Sequence, residues 1–352
     1  MFQTPSAIKV NGQTAKSKLR PALAIAGDKF LTAYVGEGGS KLYYAWATAV
    51  SGEVEWNGNK QVVTVGQHPL QTRRAPGVYW NLFGGTPSIV YISTDQKSIE
   101  QTVSPYVNLT WPDTSTWSDP QPVANFDSLG VEWSSIFVSA CGWQTFIIAV
   151  DVDGGAWFSA QTTWIDLFRG GGGTTSWTDA QWIDTSQISG AGEINSWSTA
   201  VCTVTNQTGA SAQITALYGF CPLGVAVFRI GAEAINEANN TLTIGPWSFL
   251  KFVPLQILSA TACTLGTGAG PNHPLFFIDT SPGGLLTVDV NPILPSFFQN
   301  QLTALKPGDK FSTDAVPGAT YFTAVGQTNK YGLALIWKRA GEDDLYFSSE
   351  LL

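Results

Sequence analysis

The chain has 352 residues, a formal net charge of −8, and only 18 Lys and Arg against 26 Asp and Glu. So few cations exclude a nucleic-acid backbone as an expected partner, and no apolar run is long enough to insert into a membrane. The low charged fraction of 12%, with 36 Gly, 14 Trp and one Met, also argues against long amphipathic helices and favours strands joined by tight turns.

The first repeat unit is predicted from four strands in chain order. An apolar inner strand over residues 21–25 is followed by Gly27-Asp28, a pair typical of a two-residue hairpin turn. Two middle strands are predicted at 30–35 and 42–46, and an outer strand at 61–65. We interpret this unit as one blade of a β-propeller.

The same order of strands recurs along the rest of the chain, which predicts an all-β fold, a six-bladed β-propeller in a single domain. The six blades are placed at about 17–66, 71–126, 132–186, 195–255, 259–307, and 317–352 together with 6–12. The alternative is a pair of β-sandwich domains, whose linker would be the glycine run at 170–173.

The sixth unit is one strand short, because the chain stops after the strand predicted at 345–348. Segment 6–12 has no place in the first unit and aligns with segment 60–66, which contains the outer strand of that unit. We therefore expect the N-terminal strand to complete the last blade and close the propeller, which leaves no sheet edge unpaired.

Two tryptophans stand where a ligand would be expected. Trp133 and Trp197 precede the inner strands predicted for the third and fourth units, at the end of the blade where Arg20 and Arg74 lie in the first two. A sugar ring stacks its C–H face on an indole while neighbouring polar groups bind its hydroxyls. The candidate ligand-binding residues are therefore Arg20, Arg74, Glu132, Trp133, Asn195 and Trp197. Simple packing of these loops on one another is the alternative.

The sequence gives weaker support for catalysis or metal binding. The two histidines fall at opposite ends of the predicted blades, so we expect no shared metal ion and no catalytic triad. Residues 151–155 (sequence DVDGG) are predicted to form a β-turn, since a calcium loop needs more ligands. We expect no catalytic residues, no metal and no cofactor, and the four cysteines are predicted to be free buried thiols.

The whole pattern resembles the six-bladed β-propeller lectins of fungi. Four-stranded units rich in Trp and Gly, and the run at 42–46 followed by Trp56, look like the blades of lectin and sialidase-like propellers. The resemblance implies a carbohydrate-binding protein whose partners are glycans or small carbohydrates. Because the polar residues differ between units, we expect one or a few distinct sites instead of six equal ones.

Three functions remain open at this point. The first is a carbohydrate-binding lectin, and the second is a propeller enzyme, such as a glycoside hydrolase, with a single site in the central funnel. The third is a protein-interaction scaffold, and homo-oligomers are compatible with all three. Residues 1–6 lack the basic and apolar regions of a secretory signal, so we expect a protein that is cytoplasmic or is released without a visible signal peptide.

Overall fold

Strands account for nearly all regular structure in the computed structural model. It describes residues 6–26, 29–50, 53–80, 86–104, 116–141, 144–161, 177–185, 193–205, 211–236, 241–244, 248–251, 256–265, 273–281, 284–290, 302–304, 319–325, 331–339 and 342–351. The chain divides into two compact units. The N-terminal unit contains residues 7–184 and 343–345, and the C-terminal unit contains residues 1–6, 185–342 and 346–352.

Three four-stranded antiparallel sheets form the N-terminal unit, and in each the strands follow one another in chain order. Three short strands come first: β1 (Ser6–Ala7), β2 (Lys9–Val10) and β3 (Gln13–Thr14). The first sheet contains β4 (Ala22–Ala26), β5 (Lys29–Val35), β6 (Leu42–Val50) and β7 (Glu53–Gln61). The second contains β8 (Gly77–Trp80), β9 (Pro87–Ile92), β10 (Ile99–Val103) and β11 (Gln121–Pro122), followed by a 3₁₀ helix at Phe126–Leu129. The third contains β12 (Trp133–Cys141), β13 (Gln144–Asp151), β14 (Ala156–Ala160) and β15 (Gln181–Ile183).

The C-terminal unit continues the pattern. Its fourth sheet contains β16 (Ser196–Thr205), β17 (Ser211–Cys221), β18 (Gly224–Asn236), β19 (Thr241–Ile244) and β20 (Ser248–Lys251). The fifth contains β21 (Gln256–Leu265), β22 (His273–Ser281), β23 (Gly284–Val290) and β24 (Leu302–Ala304). The sixth contains β25 (Ala319–Val325), β26 (Tyr331–Arg339) and β27 (Leu345–Leu351), and its strand order ends in β1 next to β27.

The first strands of successive sheets lie side by side within each unit. In the N-terminal unit β8 packs against both β4 and β12, and in the C-terminal unit β21 packs against both β16 and β25. Neighbouring sheets share apolar cores: residues of the first and second sheets form one buried cluster, and those of the second and third form another. Sheets that pack face to face with adjacent first strands are blades, so the predicted all-β, β-propeller class is confirmed.

The predicted number of six four-stranded blades is not confirmed. Within the described residues, five sheets have four strands and the fourth sheet has five, so there are five four-stranded blades where the sequence predicted six. The reason is the length of β18, whose 13 residues exceed what one short neighbour can pair. Its beginning pairs with β20, the predicted outer strand, and its end pairs with β19 beyond a register shift.

Two first strands also begin earlier than predicted. Strand β12 begins at Trp133 itself, with a register shift between Trp133 and Ser135, and β16 begins at Ser196 and so includes Trp197. Both tryptophans predicted in loops therefore lie within strands, where a side chain faces one side of a sheet.

The two ends of the chain meet in a set of main-chain hydrogen bonds. The Ile8 N–H donates to the Leu345 carbonyl at 2.8 Å, and the Leu345 N–H donates to the Ala15 carbonyl at 2.9 Å. Equivalent bonds occur in the first sheet, from Val62 N–H to the Leu42 carbonyl and from Leu42 N–H to the carbonyl of Leu70. Segments 6–12 and 60–66, aligned from the sequence, thus take corresponding places.

Packing between sheets explains other aromatic positions. The sequence predicts that Trp117 and Trp177, each a few residues before an outer strand, lie between blades. Trp117 is fully buried and meets Tyr44 of the first sheet edge to face, and Trp177 meets Tyr79 of the second sheet in the same way. This prediction is confirmed for both.

The prediction of a free buried thiol is confirmed for Cys221, where burial raises the pKa of the thiol to about 11.

Candidate functional site

One end of the N-terminal unit carries most of the predicted site residues. The segment before a first strand lies beside the turn between the second and third strands, as Trp133 pairs with Asp151 and the Val152 N–H donates to the Glu132 carbonyl. We call this end the loop face and define it by residues 72–76, 93–98, 131–134 and 151–155. It is the end at which the sequence predicted a ligand.

Arg20 and Arg74, predicted as equivalent, occupy different positions. The Ser17 hydroxyl donates to the Leu19 carbonyl and accepts from the Leu19 N–H, and the Thr72 hydroxyl makes the same pair of bonds with Arg74. Arg74 therefore corresponds to Leu19, and Arg20 is one residue further along. For this reason the two guanidinium groups point to different surroundings.

The Arg74 guanidinium is held by the side-chain amide of Gln96. Its Nε donates to Gln96 Oε1 at 3.1 Å and its Nη2 donates to the same oxygen at 2.5 Å. The Gln96 carbonyl accepts from the Trp133 N–H at 2.8 Å, and Gln96 itself has a φ of 63°. The structure thus brings Arg74 and Trp133 together through Gln96, a turn residue that the sequence interpretation missed.

The predicted indole platforms lie in the core. Trp133 has no exposed surface and meets Phe126 edge to face at 5.2 Å between ring centroids, while Trp197 is 3% exposed and packs against Phe228. Neither ring offers a face to a sugar, which corrects the sequence interpretation of both. Their polar companions Glu132 and Asn195 are exposed, the latter in the C-terminal unit.

Arg20 lies near the first strands. Its Nη2 donates to the Ile136 carbonyl of β12 at 2.8 Å, and its guanidinium carbon stands 4.2 Å from the centre of the Phe137 ring. The side chain therefore reaches from the segment before β4, across β8, to β12. Desolvation lowers the pKa of Arg20 to about 10.

The turn between β13 and β14 is built on one buried carboxylate. Asp151 Oδ1 accepts from the Asp153 and Gly155 N–H groups at 3.0 and 2.7 Å, and Oδ2 accepts from Trp157 Nε1 at 3.2 Å. The predicted β-turn is confirmed, and its carboxylate is occupied by these three donors. Within the described part of the chain, no three His, Cys, Asp or Glu residues are grouped as a metal site would need.

An exposed indole stands on this turn. Trp182 of β15 is 52% exposed and pairs with Trp157 of β14, the two ring centroids being 5.1 Å apart at 79°. A Cβ on Gly155 would come within 2.5 Å of Trp182 Cζ3, so the ring lies directly against the glycine backbone. We call Trp182, Trp157 and Gly155 the aromatic platform.

The aromatic platform was missed because Trp182 lies in a predicted outer strand, where its exposure depends on how the sheets pack. The local sequence did carry a signal, since Trp182 follows the polar residue Gln181 and Asp184 comes two positions after it. Trp is enriched at interfaces, where one end of the ring is apolar and the other meets water.

Fold and site together define an all-β protein of the β-propeller class, with an aromatic platform beside polar loops. No family model matches the chain, and no curated protein matches it. Among solved structures, it is similar to AofleA from Arthrobotrys oligospora, at 12% identity and a TM-score of 0.51 over 99% of this chain and 91% of that one. A triple arginine-to-alanine mutant of AofleA gives 12% identity and a TM-score of 0.52 over 99% and 92%.

A third similar structure is the Penicillium chrysogenum alpha-L-arabinanase complexed with arabinobiose, at 12% identity and a TM-score of 0.48 over 100% of this chain and 98% of that one. Identities this low show the fold alone, so the function must be argued from the site. No described helix of this chain is long and apolar enough to cross a membrane.

Proposed function

We propose that the chain binds carbohydrate on the loop face, with a sugar ring stacked on Trp182. The observation that carries this proposal is the half-exposed indole fixed against Gly155. An aromatic ring that is already ordered loses little side-chain entropy when a ligand stacks on it. The C–H groups of a pyranose would contact the ring, and its hydroxyls would bind nearby polar groups.

Polar groups for those hydroxyls are available next to the aromatic platform. Glu132 and Asp153 are exposed, and their segments are joined by the hydrogen bond from Val152 N–H to the Glu132 carbonyl. Arg74, ordered by Gln96, lies on the same loop face. We assign hydrogen-bonding roles to these three residues, and Asn195 stays a separate proposal for the C-terminal unit. Trp133 would support the site from the core.

We also propose that the N-terminal segment completes the last blade. A repeated main-chain bond supports this: the segment before a first strand donates to the turn between the second and third strands of the preceding sheet. It occurs from Thr72 to Ser40 and from Trp133 to Gln96, at 2.8 Å in both cases. Ser17 donates to Asp343 in the same manner at 2.7 Å, and both residues belong to the N-terminal unit.

Carbohydrate binding is tested by screening the full chain on a glycan array and measuring affinity for each hit by calorimetry. Trp182→Ala should lower the affinity at least tenfold, a loss within the range of about 1–3 kcal/mol that a base stacked on an aromatic ring contributes. Val65→Ala, which trims another exposed apolar side chain, is the matched control and should bind as the parent does. Hits that bind Trp182→Ala with unchanged affinity would refute this site.

A second candidate is a propeller glycoside hydrolase, favoured by the two exposed carboxylates Glu132 and Asp153 on hydrogen-bonded segments beside Trp182. Two carboxylates flanking the scissile bond are what most glycosidases need. The same glycans should be incubated with the parent chain, Glu132→Gln and Asp153→Asn. Product formed by the parent chain and lost in both variants would support hydrolysis by these two carboxylates. Glycan binding by the parent without any product would support the lectin function.

A further inference from the structure

Arg20 holds a buried positive charge whose partner is a neutral group. Its guanidinium donates to the Ile136 carbonyl and stacks on Phe137, and neither group carries a charge. Among the described residues, no Asp or Glu forms an ion pair with it. This contrasts with the surface cations Lys16 and Lys18, which pair with Glu37 and Asp343.

Burying a positive charge beside neutral groups alone raises the free energy of the folded state. Removing a charge from water costs several kcal/mol unless it is paired, and buried arginines are almost always paired. Desolvation is the cause that lowers the pKa of Arg20, so its surroundings disfavour the charged form. Stacking on a Phe ring offsets only about 0.5–2 kcal/mol of that cost.

The Arg20 guanidinium nevertheless has hydrogen-bonding capacity left for a ligand. Arg20 is only partly buried, and an arginine has five N–H donors, of which the described contacts use one. The Phe137 ring covers one face of the guanidinium, so the donors along its edge remain for a ligand. Two oxygens of an oxyanion match such an edge.

We propose that Arg20 forms a receptor for a small oxyanion, a carboxylate or phosphate group, at the first strands of the N-terminal unit. The receptor is independent of the aromatic platform, because its residues Arg20, Ile136 and Phe137 are not part of that platform. It therefore goes beyond the proposed carbohydrate binding and does not depend on it. The bound anion would supply the charge that the described residues do not.

The test is the thermal unfolding of the full chain in sodium acetate and in sodium phosphate, each titrated against sodium chloride at constant ionic strength. Ligand that binds only the folded state raises the Tm saturably, and about ten times the Kd should raise it by about 2 °C or more. Comparing acetate with phosphate separates a carboxylate receptor from a phosphate receptor.

Two variants and a control make the result specific. Arg20→Gln should remove the saturable shift, and Arg20→Lys should weaken it at least tenfold, because an ammonium lacks the planar pair of donors. Arg73→Gln removes an exposed arginine of the loop face and should keep the full shift. A shift that is no larger than in chloride, or that survives in Arg20→Gln, would overturn the proposal. If Arg20→Gln does not fold, the test rests on Arg20→Lys, and a saturable Tm shift that it retains in full would overturn the proposal.

Discussion

The main-chain N–H of Ile8 donates to the carbonyl oxygen of Leu345 at 2.8 Å, so residues 337 positions apart are joined in a ladder. Ile8 is also fully buried, and its carbonyl accepts from the Ala15 N–H at 2.8 Å. The first few residues of a chain are usually poorly ordered unless tied down in this way. The N-terminal segment is therefore expected to contribute to the stability of the fold.

Ile8→Ala should lower the free energy of unfolding by about 2–5 kcal/mol, because it leaves a cavity in a buried site. Ile8→Pro should be more damaging, since proline also removes the donor to Leu345. Lys9→Ala, at an exposed position beside it, should change stability by less than about 0.5 kcal/mol. Urea unfolding followed by tryptophan fluorescence gives all three values, and an Ile8→Pro variant as stable as the parent would contradict a structural role for this strand.

Trp133 and Trp182 should respond in opposite ways to truncation. Trp133→Ala empties a fully buried site and should cost about 3–5 kcal/mol of stability. Trp182→Ala removes a half-exposed ring and should cost about 1 kcal/mol or less while lowering glycan affinity at least tenfold. Thermal unfolding and calorimetric titration of both variants separate the two effects. The reverse result, with Trp133→Ala stable and deficient in binding, would restore the interpretation made from the sequence.

The contrast between these two tryptophans shows what the sequence can predict. Most strands and the alternation of inner, middle and outer positions follow from local apolar runs, so the β-propeller class could be predicted. The side to which Trp133 points could not, because it depends on the register shift between Trp133 and Ser135. The exposure of Trp182 likewise depends on contact with Gly155, a residue of another strand connection. The pairing of β18 with two strands is also set by tertiary packing.

Asp95 offers a test of a local hydrogen bond through its titration. The Ser93 hydroxyl donates to Asp95 Oδ1 at 2.6 Å, and this bond, followed by the one from the Lys97 N–H, lowers the pKa of Asp95 below its ordinary 3.8. A carboxyl whose pKa is lowered by folding adds stability above its unfolded pKa, and that stability is lost as the pH falls through the folded pKa.

Ser93→Ala should therefore raise the pKa of Asp95 toward the ordinary value and reduce the loss of stability between about pH 4 and the folded pKa. Ser128→Ala removes a hydroxyl that donates to the Asn125 carbonyl and should leave the Asp95 titration unchanged. NMR titration of the aspartate side chains measures both. An Asp95 pKa that is the same in Ser93→Ala and the parent would show that the hydroxyl does not set it.

Gly155 is expected to position the Trp182 ring. A Cβ at this residue would stand 2.5 Å from both Trp182 Cζ3 and Asp151 Oδ2. The carboxylate is held by three donors, whereas Trp182 is half-exposed, so in Gly155→Ala the indole should be displaced first. Glycan affinity should then fall at least fivefold, with a loss of stability of about 1–3 kcal/mol from overpacking.

Gly38→Ala is the matched control for that substitution. Gly38 is exposed, no atom lies within 4 Å of a Cβ placed on it, and it belongs to the turn between β5 and β6 of the first sheet. It should bind and unfold like the parent. Since Gly155→Ala leaves the Trp182 side chain chemically intact, a loss of binding there, with Gly38→Ala unaffected, would mean that the orientation of the ring is what the ligand recognises. Unchanged affinity in Gly155→Ala would instead mean that the sugar does not stack on the Trp182 face set by this glycine.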